Sequence, residues 1–450
     1  MRRLSFLSIA ALITATAGCS SGTQSSLPYM QSSAAMKALG GTGAGKIKHI
    51  VYIVQENRSF DDLFQGYPGA DTVSSGKNSK GQTIKLQPVP LSHQYDIDHS
   101  AQAMFSACDA PPGDLPGTHC RMDSFDKEFA SGGPPNPEYV YVPHSDSKPY
   151  FDMAHEGVLA DRMFQSQLDE SFVAHQYVIA AQAAWSVNLP NGEWGCEGGK
   201  SDEVEIISPD RTINPNNVQS PCYDYQTLGD ELDKAGLTWR FYAATYGTVS
   251  DGAEWSSYQA INHIYHGPDW KKDVVSPNWQ FLKDVKAGTL ENFTWVTPVC
   301  AESDHVNCPD GYGPSWVSAL VNAVGRSKFW DSTAIFIQWD DWGGLYDHVA
   351  PQHLDRDSLG FRVPLVILSP YAIENKVSHV PYETASVLRF AEDLWGLPQM
   401  APADRRANSP AKDCFDFTQS PQKFIRIKAP LPPKFFEKRF PSDYWAPDYE

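Results

Sequence analysis

Residues 47–57, Ile-Lys-His-Ile-Val-Tyr-Ile-Val-Gln-Glu-Asn, decide the fold class. The stretch from Ile47 to Val54 is β-branched, of strand length and almost unbroken in its hydrophobicity. That pattern suits a parallel strand buried on both faces at the centre of a sheet. It stops at Gln55-Glu56-Asn57, and the same grammar recurs twice downstream. Asn292 to Thr297 reads as a strand stopped by Pro298, leading into Glu302, Asp304 and His305. Thr333 to Trp339 reads as a strand that runs directly into Asp340-Asp341. Three polar clusters therefore sit just past strand ends. In open α/β sheets ligands bind outside the carboxyl ends of the strands, so the clusters are expected to converge on one crevice.

Outward from these strands, helices and strands alternate. A helix is predicted at about Ser315 to Val324, closed by Gly325, and another over Thr227 to Lys234, closed by Gly236 and followed by a strand from Thr238 to Ala243. Val363 to Leu368 reads as a strand, and Tyr382 to Trp395 as a helix closed by Gly396 and Pro398. The expected fold class is α/β: a doubly wound, mostly parallel central sheet with helices on both faces. Glycine- and proline-rich segments at roughly 66–150 and 186–222 are expected as long loops over the carboxyl edge. The chain divides into an export signal (1–18), a flexible tether (19–45), a catalytic domain (46–422) and a proline- and aromatic-rich tail (423–450) that packs across the surface.

With 450 residues, 41% hydrophobic and 12% aromatic, the chain can bury a large core and is not disordered. Lysine and arginine number 36 against 54 acidic residues, a net charge of -18, which disfavours nucleic acid as a partner. Met1-Arg2-Arg3 followed by an apolar run and small residues has the layout of an export signal. Two cleavage readings stand: Ala15-Thr16-Ala17, giving a secreted or periplasmic protein, or a lipobox ending at Cys19, whose lipidation would attach the chain to a membrane. The seven remaining cysteines then lie in an oxidising compartment. Proximity suggests Cys108 with Cys120, Cys196 with Cys222 and Cys300 with Cys308, leaving Cys414 over. No CxxC pair occurs, which speaks against zinc.

Glu56-Asn57 and Asp340-Asp341 are hard oxygen donors of the kind that hold a divalent cation of the Mg, Ca or Mn type. The competing reading of the first pair is a turn in which Asn57 and Ser59 cap a helix. Ser171 precedes an apolar helical stretch and reads either as a helix cap or as a nucleophile at a helix N-terminus, where the dipole favours an alkoxide and a phosphoryl group. No G-x-S-x-G or H-E-x-x-H string is present to suggest a lipase or a zinc protease. His175, His348 and His379 read as hydrogen-bonded structural histidines.

Five segments together resemble the bacterial phosphoesterase family of phospholipases C and acid phosphatases, which has an alkaline-phosphatase-like core. They are IKHIVYIVQENRSFDDLFQG (47–66), ADRMFQSQLDESFVAHQY (160–177), YQAINHIYHGPDW (258–270), ESDHVNCPDGYG (302–313) and WDDWGGLYDHVAP (339–351). The resemblance implies that Glu56, Asn57, Asp340 and Asp341 are metal ligands. It implies that Ser171 is both nucleophile and ligand, and that His99, His263 and His305 contact the phosphate. The sequence departs from the phospholipase C branch at the nucleophile, where that branch carries threonine in a G-P-T-x-P-N-R-like string and this chain reads Asp169-Glu170-Ser171. Serine is the acid phosphatase branch's residue, so the expected activity is acid phosphatase-like hydrolysis through a phosphoserine. The alternatives are a phospholipase C or phosphodiesterase acting on phospholipid head groups, an inactive surface lipoprotein that binds lipid or glycan, and a metal-independent serine hydrolase built on Ser171 and His175.

Overall fold

The computed structural model describes residues 43, 45–192, 194–244 and 255–444. The export signal, nearly all of the tether including Cys19, and the last six residues lie outside the described residues.

Eight strands form the central sheet: β1 (His49–Gln55), β2 (Val158–Ala160), β3 (Trp239–Tyr242), β4 (Val274–Val275), β5 (Phe293–Val296), β6 (Thr333–Trp339), β7 (Leu365–Leu368) and β8 (Lys376–Ser378). Their order across the sheet is β4-β3-β5-β1-β6-β7-β2-β8. Only β7 runs against the rest, pairing antiparallel with both β6 and β2. The expected strand at Ile47 is thus central, flanked in parallel by β5 and β6. Ile50 to Val54 are wholly sealed from solvent, as a strand covered on both faces requires.

Among the described residues, the helices of seven or more residues are α1 (Ala101–Cys108), α2 (His144–Glu156), α3 (Ser171–Ala180), α4 (Leu228–Lys234), α5 (Gln280–Ala287), α6 (Gly313–Gly325) and α7 (Ala385–Trp395). Side chains along β6 show the two layers directly. Phe336 meets Phe390 of α7 with ring centroids 5.0 Å apart, while Trp339, of opposite parity, meets Tyr150 of α2 at 4.8 Å. Alternate residues of a strand face opposite ways, so α7 and α2 lie on opposite faces. Local signals act as read: Thr227 and Asp230 form a capping box on α4, and α7 ends at Gly396 in the left-handed region.

One expected element differs. The predicted helix from Tyr382 begins only at Ala385, because Tyr382–Glu383 instead pairs in parallel with Met163–Phe164. Glu383 is drawn into a half-buried ion pair with Arg406 at 2.8 Å, an interaction from outside the local sequence. The loop from 186 to 222 carries a three-stranded antiparallel sheet of Ser186–Val187, Val204–Ile207 and Ile213–Gln219. All three expected disulfides are present, and Cys414 is buried and unpaired. The final segment lies along α6: Asn322 exchanges hydrogen bonds of 2.9 and 3.0 Å with the Ile427 backbone, and Phe436 packs on Trp316. Among the described residues, no helix is long and apolar enough to cross a membrane.

Candidate active site

The register of β1 against β6 pairs Gln55 with Trp339, so the residues that follow, Glu56-Asn57 and Asp340-Asp341, leave the sheet side by side. Backbone bonds lock them together. Asp340 N–H donates to the Gln55 carbonyl at 2.8 Å, Asn57 N–H to Asp340 Oδ1 at 2.9 Å, and Arg58 N–H to the Asp341 carbonyl at 3.0 Å. Asn57 turns the chain with φ of 53°, a conformation asparagine tolerates better than most residues. Gly343 then passes so close that a Cβ there would lie 2.7 Å from Asn57, which is why a glycine follows the acidic pair. Ser59, not Asn57, caps the short helix Phe60–Leu63, so the capping reading holds for one residue of that motif only.

α3 brings Ser171 to these carboxylates as its first residue. Ser171 Oγ lies 3.4 Å from Asp341 Oδ2 and 3.5 Å from Glu56 Oε2. One turn later on the same face, His175 Nε2 lies 3.2 Å from Glu56 Oε1 and 3.7 Å from Asp340 Oδ2. Glu56, Asn57, His99, Ser171, His175, Asp340 and Asp341 are all 0% exposed. Three carboxylates sealed this closely repel one another strongly unless a cation sits among them. Asp340 Oδ2 and Asn57 Oδ1 have no hydrogen-bond partner, and the ligand atoms of Glu56, His175 and Asp340 lie within 4.8 Å of one another. Buried oxygens left unsatisfied beside an imidazole are what a divalent cation would engage, so the residues fit a metal.

His99 approaches Asp341, and His305 lies next to His99. His99 Nδ1 donates to the Ile97 carbonyl at 2.9 Å, which leaves Nε2 to accept from Asn57 Nδ2 at 2.8 Å; the same atom is 3.8 Å from Asp341 Oδ2. His99 thereby orients Asn57. His305 lies with its ring centroid 6.2 Å from that of His99. Its Nδ1 accepts from Asn307 N–H at 3.1 Å, which puts the ring proton of the neutral form on Nε2. The Cys300–Cys308 disulfide closes the loop that carries it. Asp304 anchors that loop, accepting from Tyr150 Oη at 2.6 Å and Trp339 Nε1 at 3.0 Å, while Arg58 Nε donates to its carbonyl. Burial pushes the Asp304 carboxyl up to about 6, against the pull of the Tyr150 hydrogen bond and Arg58.

The structure does not bring His263 to this cluster. Its Nδ1 is 2.7 Å from Asp224 and its Nε2 3.0 Å from Asp230, the residue that also closes the capping box of α4. With both nitrogens held by carboxylates on a partly exposed helix, it has a structural explanation that needs no phosphate. His175 joins the site instead. Its signal in the sequence was the four-residue spacing from Ser171. His348 and His379 pair with Asp61 at 2.6 Å and Asp161 at 2.9 Å, as structural histidines would. Behind the site, Arg362 grips Asp347 at 2.8 and 3.0 Å and fastens the two acidic loops together.

Residues 47–398 match the Phosphoesterase family. The chain belongs to the Phosphoesterase family. Among curated members it is 25% identical over 447 residues to the non-hemolytic phospholipase C of Burkholderia pseudomallei, covering 87% of this chain and 62% of that protein. It is 24% identical over 408 residues to phospholipase C B of Mycobacterium tuberculosis, covering 78% of this chain and 74% of that one. The hemolytic phospholipase C of Pseudomonas aeruginosa is 24% identical over 428 residues, and this chain spans 56% of its length. A solved protein in the alkaline phosphatase superfamily from Vibrio parahaemolyticus aligns over 80% of this chain and 69% of that one, with 12% identity and a TM-score of 0.37. The three disulfides of this Phosphoesterase member suit an extracytoplasmic location.

Proposed function

We propose that this chain is a metal-dependent phosphodiesterase of the phospholipase C type that works through a covalent intermediate on Ser171. The carrying observation is the position of Ser171 Oγ, at the start of α3 and 3.4–3.5 Å from the buried carboxylates of Asp341 and Glu56. The relatives named above are phospholipases C, which favours the diester over the acid phosphatase expected from the serine alone.

Glu56, Asp340, Asp341, His175, Asn57 Oδ1 and Ser171 Oγ would hold one divalent cation. When bound, it would acidify the Ser171 hydroxyl and polarise a phosphoryl oxygen. The presence of His175 makes the donor set a mixture of oxygen and nitrogen, which suits manganese or zinc better than calcium or magnesium. The Ser171 hydroxyl donates towards Asp341 and Glu56, which gives its proton a route away. Oγ then attacks phosphorus, and the diacylglycerol-type alcohol leaves with a proton. The head-group phosphate stays on Oγ until water displaces it and restores the serine. The open N–H groups in the first turn of α3 and Nε2–H of His305 supply donors for the phosphoryl oxygens. His99 acts through Asn57. His175 faces Glu56 and Asp340, which supports the metal reading over a metal-independent serine hydrolase.

The test compares p-nitrophenyl phosphate, p-nitrophenylphosphorylcholine and phosphatidylcholine as substrates. Diester turnover that stops on chelation supports the reading. Turnover of the monoester alone returns the chain to the acid phosphatase class.

A further inference from the structure

Five large apolar side chains are exposed among the described residues: Leu115 (42%), Phe129 (73%), Trp185 (53%), Leu354 (48%) and Ile425 (56%). Only Ile425 belongs to the tail. The other four sit on loops: Leu115 and Phe129 in the stretch after α1, Trp185 just after α3, and Leu354 between β6 and β7.

Three of the four are fastened together. Arg356 lies over the ring of Trp185, 4.7 Å from its centroid. Arg211, itself buried, donates to the Pro116 carbonyl at 2.6 Å and to the Arg356 carbonyl at 2.8 Å, clamping the turn of Leu115 to the turn of Leu354. The patch is also coupled to the catalytic helix. Asn188, three residues after Trp185, donates to Asp169 at 2.5 Å, two residues before Ser171. Asp357, three residues after Leu354, accepts from Tyr177 of α3 at 2.9 Å. The backbone of Phe129 meets the residue before His99, its carbonyl accepting from Asp98 N–H at 2.8 Å.

The backbone beneath Trp185 is unusual. Ala184 and Trp185 are both left-handed, with φ of 52° and 64°, where a bulky side chain is strained and glycine is not. The Gln219 amide on the Ala184 carbonyl and Ile207 N–H on the Trp185 carbonyl hold the turn in place. Apart from the Arg356 contact, this tryptophan at a strained, glycine-like position leaves half its surface in solvent. Something outside the chain is expected to cover it.

We infer that Leu115, Trp185 and Leu354, with Phe129, form a docking surface for a phospholipid bilayer, one with a zwitterionic phosphocholine surface. Indole and guanidinium are side chains with an apolar body and a polar end, which suits the head-group layer. Leucine and phenylalanine gain by entering the acyl layer. The net charge of -18 selects the lipid, because an anionic bilayer would repel the chain. This inference deepens the phospholipase C reading and supplies the step that brings a bilayer substrate to the site.

The experiment measures co-sedimentation of the full chain, carrying Ser171→Ala so that no lipid is consumed, with phosphatidylcholine vesicles. Trp185→Gly and Leu354→Ser together should reduce partitioning by about tenfold or more. In the otherwise native chain the same pair should cut vesicle hydrolysis by a similar factor and leave p-nitrophenylphosphorylcholine turnover unchanged. Trp185→Gly alone should move the melting temperature by only a few degrees, since relief of the left-handed strain offsets the lost Arg356 contact and the freer unfolded chain. Unchanged partitioning of the pair, stronger parental binding to phosphatidylglycerol than to phosphatidylcholine, binding to polysaccharide but not to vesicles, or a sharp fall in melting temperature with Trp185→Gly would each overturn the inference. Binding is read without catalysis, so failure of the enzyme reading appears separately, as absent diester turnover in the native chain.

Discussion

Stripping the metal should destabilise the protein, by an amount that follows from the cluster. Oxygens of Glu56 and Asp340 lie within 4.8 Å of each other, sealed from water. At an effective dielectric near 20, two unit charges at that separation repel by about 3 kcal/mol. Asp341, 3.4 Å from Ser171 Oγ, adds a further like charge. A cation present at a hundredfold excess over its Kd stabilises the folded chain by about 3 kcal/mol through mass action. For a chain of this size that corresponds to roughly 3–4 °C in Tm. Differential scanning calorimetry before and after chelation, followed by titration with manganese, zinc, magnesium and calcium salts, reads the effect. A charge-neutral control sharpens it. Glu56→Gln with Asp340→Asn should bind no metal, lose the chelator effect, and melt above the stripped parent, because the repulsion is gone. A parent whose Tm ignores both chelator and added metal, with no bound cation by elemental analysis, would refute the reasoning.

His263→Ala should leave kcat/KM for a soluble diester within about twofold of the parent, since the ring contacts Asp224 and Asp230 and no group of the cluster. Burial alone would lower the His263 pKa, but the hydrogen bond to Asp224 and the charge of Asp230 outweigh it and raise the value. Its stabilising contribution is therefore fully present below the unfolded value of about 6.5 and is lost as pH rises through the folded one. The stability gap between parent and variant, at most about 1 kcal/mol for so exposed a pair, should shrink with rising pH in urea titrations. Arg362→Met should cost about 3–5 kcal/mol in the same assay, because it strands the buried Asp347 carboxylate that Arg362 holds at 2.8 Å. A loss below 1 kcal/mol would show that the buried ion pair carries no such stabilisation.

Several site residues were legible because strand ends leave little freedom. Once β1 and β6 are read as neighbouring buried strands, Glu56-Asn57 and Asp340-Asp341 must emerge together, and they do. Ser171 reads from the sequence as either a cap or a nucleophile, and the structure makes it the first residue of α3, after Glu170 at the cap position and beside the carboxylates. His175 was harder, since every residue of α3 is buried and a histidine on such a helix reads as core until the carboxylates facing it are known. His263 went the other way: its motif matched, but its partners come from positions about 30 to 40 residues earlier, which no local reading supplies. The same kind of distant partner, Arg406 on Glu383, delayed the start of α7. Trp185 gave no signal in the sequence, because left-handed backbone is expected at glycine and asparagine and not at tryptophan.

The covalent intermediate offers the most direct measurement. The protein is mixed with a phosphodiester, quenched in acid within a few turnovers, digested and mapped by mass spectrometry. The account predicts the head-group phosphate as added mass on the peptide containing Ser171, released on further incubation with water and missing in Ser171→Ala, which should also be inactive. Rapid turnover by Ser171→Ala, or a trapped phosphoryl group on any other residue, would contradict it.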